Sequence, residues 1–180
     1  REERGENPEN PAEPAKTFSV SALLEAGGLK TEWAEGDEIA VLDGTEEAKY
    51  LLLGADAVTE GAALFTDEEE NISKDASEYI VIYPSIVADP EGSMNINVPV
   101  EQVIVEGTNC TTAAYAAVGK VQEGTVQLKN VCALVKVTVS ASGINKVLLR
   151  SKNREIIAGD ATVNAADATV TSVENGLAEI

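Results

Sequence analysis

Residues Thr31–Gly44 read TEWAEGDEIAVLDG. The stretch carries the chain's only tryptophan, a Gly36-Asp37 pair and five carboxylates within 14 residues, and it turns apolar through Ile39 and Val41. Two readings compete. In one, Glu32 and Glu35 beside Trp33 make an acidic site with an aromatic lid, fit for a metal ion or a sugar. In the other, the Gly-Asp pair turns the chain into a short strand, EIAVL, and Trp33 plugs the end of a β-sandwich. Glycosidic catalysis needs two carboxylates across a cleft with separated proton affinities. Neighbours on one turn do not supply that, and a lone Trp in an aromatic-poor chain serves best as core filler. The stretch is therefore read as turn and strand, with Trp33, Ile39 and Val41 as candidate core residues.

The same grammar runs outward in both directions. KTFSVSALL puts Phe18, Val20 and Ala22 on one face and Thr17, Ser19 and Ser21 on the other, the period of two of a half-buried strand. AKYLLLG and GAALFT are apolar runs bounded by glycine and read as two strands, although EEAKYLLLGADA also fits a helix; ASEYIVIYPS is β-rich and stops at Pro84. In GSMNINVPVEQ, Met94, Ile96, Val98 and Val100 alternate with polar residues, and Pro99 points to an edge strand. TVQLKNVCALVKVTVSASG is the longest strand signal, with Val131, Ala133, Val135, Val137 and Val139 on one face and a slip of facing at Asn130 that suggests a bulge or tight turn. INKVLLRS, IIAGDATV and DATVTSV follow. Short strands at this spacing, joined by Gly, Asp, Asn and Pro, predict an all-β antiparallel sandwich over 16–180. Ahead of it, residues 1–15 hold Pro8, Pro11 and Pro14 and no large apolar side chain, the composition of an extended or disordered leader. Phe18, Val20, Ile39, Val41, Val135, Val137 and Val139 are expected to line the core or a strand groove.

Composition narrows the function classes. The 180 residues hold 13 basic and 31 acidic side chains, a net charge of −18 that repels phosphate backbones and anionic lipid. No nucleic-acid partner is expected. There is no histidine, which removes the commonest general base and zinc ligand and every Ser-His-Asp or Cys-His arrangement. DEEEN at Asp67–Asn71 lacks the Asp-x-Asp-x-Asp-Gly spacing of a calcium loop and reads as a solvated turn. Cys110 and Cys132 fit no metal spacing; they either pair in an oxidising compartment or are two small buried residues. No catalytic residue, cofactor or metal is assigned. Arg1 at the start, with Met94 the only methionine, suggests a processed product or fragment whose targeting peptide lies upstream.

The order of motifs resembles the fimbrillin, or Mfa-like, family of Bacteroidales surface pilins. The resemblance rests on Trp33 with Gly36, Asp37, Ile39 and Val41, then Tyr83-Pro84, then Pro99 and Gln102. It continues with the Leu128-Lys129-Asn130 entry to a valine-rich run, and with Ala158-Gly159. It implies tandem transthyretin-like sandwiches, of which this chain is the N-terminal one, exported as an outer-membrane lipoprotein. It also implies a structural or adhesive role in a fimbria, with subunits joined by β-strand addition and no enzymatic activity. Partners would be other fimbrial subunits and surface ligands of host or bacterium. The first arginine after the opening strand is Arg150, so the family's cleavage of a first strand has no matching site, and a tip or anchor role is as compatible as a stalk role. Two rival readings are a glycan-binding surface module, with Trp33 or Tyr83 as the sugar platform, and a calcium-stabilised adhesin.

Overall fold

The computed structural model describes residues 17–103 and 111–180. In chain order the strands are β1 (Ser19–Leu23), β2 (Glu38–Leu42), β3 (Lys49–Leu52), β4 (Val58–Thr59), β5 (Ala62–Thr66) and β6 (Ile80–Tyr83). They continue with β7 (Asn95–Val98), β8 (Ala117–Lys120), β9 (Thr125–Gln127), β10 (Lys129–Asn130), β11 (Ala158–Val163) and β12 (Val170–Leu177). Short 3₁₀ turns lie at Ser85–Val87 and Thr112–Tyr115. The proposed leader over 1–15 lies outside the described residues.

These strands form three sheets in an all-β, sandwich-like arrangement. The first has the order β4-β5-β1-β9, the second β10-β8-β6-β2-β3 and the third β12-β11-β7. The pairs are antiparallel except β1 with β9, which is parallel.

Alternation along the second sheet explains how the layers stack. Ile39, Val41, Leu51, Val81, Tyr83 and Ala117 face a core shared with Val20, Ala22, Ala63, Phe65 and Val126 of the first sheet. Their neighbours Ala40, Leu42, Ile82 and Val118 face a second core shared with Ile96, Ala161 and Val163 of the third. The second sheet is thus the middle layer, buried on both faces. That is why EIAVL is apolar without a polar alternate, as strands covered on both sides are.

Four sequence expectations need correction. The segment read as the longest strand is not one. β9 pairs with β1, β10 pairs with β8, and the chain crosses between sheets at Leu128. Asn130 is neither a bulge nor a turn. It lies in β10, where its N–H donates to Glu25 Oε2 (2.9 Å) and its side-chain oxygen accepts from the N–H of Leu29 (3.0 Å).

Beyond Val131, whose N–H donates to Ala116 O, residues 132–149 belong to no strand. Val135, Val137 and Val139 do not line the core; they are 63%, 53% and 46% exposed. Alternation shows which side chains share a face, and it carries no information on whether anything covers that face. INKVLLRS likewise makes only an isolated bridge, Arg150 to Glu179. Pro99 follows β7, which is an edge strand of the third sheet.

Candidate functional site

The Trp33 corner brings Asp37 together with the indole and leaves Glu32 and Glu35 outside. Gly36, at φ 85°, turns the chain, and the Asp37 carboxylate closes the turn by accepting the N–H of Ala34 (2.8 Å). The backbone then enters the ladder, Leu53 N–H donating to Asp37 O (2.7 Å) and Gly36 N–H to Leu53 O (3.1 Å). Trp33 is 8% exposed. Its Nε1–H donates to Ala22 O (3.1 Å), and its ring meets Phe65 and Tyr83 edge-on, with centroids 5.4 and 5.2 Å apart. Such pairs add to the area the ring buries. The indole caps the first core and is not a lid.

Asp37 is also the partner of a buried phenol. Tyr83 Oη–H donates to its Oδ1 (2.8 Å), while Lys30 Nζ lies 3.1 Å from Oδ2 and 5.5 Å from the Tyr83 ring centroid. Burial, reinforced by the carboxylate, holds the Tyr83 phenol far above its ordinary range, so it stays a neutral donor. Glu32 and Glu35, the other carboxylates of the supposed pocket, are exposed. The corner spends its polar atoms on its own architecture. With Trp33 and Tyr83 (2% exposed) both buried, neither ring offers a sugar platform.

Two further carboxylates are buried, Asp43 and Asp67, at 4% and 2% exposure. Asp43 accepts from Thr45 N–H (3.1 Å) and Thr45 Oγ1 (2.6 Å) through one oxygen and from Ser73 N–H (2.7 Å) through the other. Burial alone would raise its pKa. The Thr45 hydroxyl, the two backbone N–H donors and Lys49 outweigh burial and lower it. Asp67, the first residue of DEEEN, accepts from Ile72 N–H (2.8 Å) and so shapes that turn from within. Both are loop-locking groups. No cluster of His, Cys, Asp and Glu suited to a metal is found among the described residues. Nor does any of their buried side-chain polar atoms lack a partner.

Asp43 therefore makes a testable point about acid stability. Its folded pKa lies below the ordinary value of 3.8, so its contribution is present above that value and is lost as pH falls through the folded value. Asp43→Ala is expected to cost about 1–3 kcal/mol at pH 7, because it removes three hydrogen bonds to a buried, charged acceptor. It should also lose part of the acid limb of the stability curve. Denaturant titrations at pH 7 and pH 3 check this; an identical acid dependence in both proteins would refute the role.

What remains exposed is more informative. Residues 133–140 are all exposed, and the apolar surface continues through Ile144, Val147 and Leu148 at 54%, 49% and 55%. On the other flank, β3 is an end strand of the middle sheet, and a groove of about 880 Å³ runs along it. Of the residues read as core or groove, the structure gathers Val20, Trp33, Ile39 and Val41 in the first core, with Phe18 packed at its margin. The three valines stand apart from it, outside. Cys132 is half-buried, and burial pushes its thiol pKa up; Cys110 lies outside the described residues. No family model matches the chain, and no curated protein or solved structure matches it.

Proposed function

We propose that this chain is a structural and adhesive subunit of a cell-surface fimbria, joined to its neighbours by β-strand addition and held at the outer membrane as a lipoprotein or within the filament. The observation that supports this reading is the run Leu134–Val139, where Leu134, Val135, Val137 and Val139 are each about half exposed or more on a backbone that pairs with no strand among the described residues. An exposed, β-branched, unpaired segment can be taken up as a strand by another chain, which supplies both hydrogen bonds and apolar cover. Isolated exposed apolar residues are ordinary on protein surfaces, whereas a contiguous apolar run marks an interaction site.

Purified protein is expected to form concentration-dependent oligomers by sedimentation velocity. The double substitution Val137→Asp/Val139→Asp should abolish them while shifting folding stability by less than about 0.5 kcal/mol, as surface changes usually do. A wild-type chain that stays monomeric under every maturation condition, or a variant that assembles like wild type, would contradict the proposal.

A further inference from the structure

The acceptor for the exposed valine run is a second question, and the opposite flank of the molecule answers it. β3 pairs with β2 through Ile39↔Leu51 and Val41↔Lys49, and Leu53 N–H bonds back to Asp37 O. Hydrogen-bonded pairs alternate in an antiparallel ladder. Residues 49, 51 and 53 thus turn their backbone groups to β2, and Tyr50 and Leu52 turn theirs to the open edge. The groove there is lined by Tyr50, Leu52 and Leu64, which are 47%, 63% and 51% exposed, with Gly54, Ala55 and Ala57 leaving room for a main chain. Its rim is acidic: Glu47, Glu68 and Glu69 are exposed, and the one lysine there, Lys49, is engaged by Glu47 at 3.2 Å.

The valine run has the complementary character. The run itself carries Lys136 and no acid; between Glu123 and Glu155 the chain contains no acidic residue, and Lys146, Lys152 and Arg154 follow, with Arg150 engaged by Glu179. In a chain of net charge −18, this is the segment an acidic groove can accept.

We infer that the β3 edge groove of one copy receives the Ala133–Ser140 segment of the next as an added strand, a head-to-tail contact between two different surfaces. This rests on the strand-addition reading above and goes further by naming both surfaces. A heterologous contact of this kind propagates into a filament or closes a ring.

Complementation of two disabled halves tests it. Val137→Asp/Val139→Asp removes the donor and keeps the groove. Tyr50→Pro removes the outward N–H without removing a β2 ladder bond, and Glu68→Lys/Glu69→Lys inverts the rim on two exposed side chains in case the proline unfolds β3. Each variant alone should be monomeric by sedimentation velocity, and mixing a donor variant with a groove variant should give dimers and nothing larger. Wild-type association should also weaken about tenfold or more between low and high salt. If the groove variants assemble like wild type while the donor variant does not, strand addition stands and the β3 acceptor is overturned. Should the donor variant itself assemble like wild type, the strand-addition reading fails and this inference with it.

Discussion

Replacing Trp33 by alanine is expected to cost about 3–5 kcal/mol of folding stability, the range for truncating a buried aromatic side chain. The cavity would open between Phe65 and Tyr83, both nearly inaccessible. The loss also removes the Nε1–H donor to Ala22 O, an acceptor on β1. With total stabilities typically 5–15 kcal/mol, such a change takes away a large fraction of the margin. Trp33→Phe separates the two contributions, since it keeps most of the ring and deletes the donor; a loss of about 1–3 kcal/mol is expected there. Equilibrium urea unfolding of the three proteins measures both. If alanine costs less than about 1 kcal/mol, the indole is not holding the end of the core.

The second large effect is expected at Gly119. It lies in β8, where a Cβ would stand 2.6 Å from the carbonyl oxygen of Gln127 and 2.7 Å from Val126 Cγ2. Real Cβ atoms do not approach that closely, so β9 must move. β9 is not free to move, because Ser21↔Thr125, Ala22↔Val126 and Leu23↔Gln127 tie it to β1, and Val126 is fully buried in the first core. Gly119→Ala should therefore destabilise by about 1–3 kcal/mol through overpacking, although alanine is otherwise the easier residue to order in a strand. Gly119→Val should be worse still. An unchanged denaturation midpoint for the alanine variant would show that the two sheets do not meet here as described.

The contrast between these two positions shows what a single sequence conveys. Trp33 and EIAVL were legible because a turn pair, an aromatic and an aliphatic run are local signals, and local signals gave β1, β2, β3, β5, β6, β7, β11 and β12 their approximate places. The layering was not legible. Ile39 and Val41 were expected inward, but Ala40 and Leu42 also face a core, because a third sheet covers the other side. β8 was missed because alanine and glycine carry little strand signal, although Glu123 and Gly124 both have positive φ (50° and 78°) and mark the hairpin-like turn between VGK and TVQ. The alternation at Val135, Val137 and Val139 was read as an inward-facing strand, and the structure gives neither a strand nor an interior there. Coverage is a property of the tertiary arrangement and, on the reading proposed here, of a neighbouring copy.

The most direct measurement is backbone hydrogen exchange over residues 133–140 in dissociated and assembled protein. Unpaired amides on the exposed run should exchange fast in the monomer, and strand addition should slow them markedly in the assembly while the Trp33 corner is unchanged. Assembly that leaves these amides exchanging as fast as in the monomer would contradict strand addition through this segment.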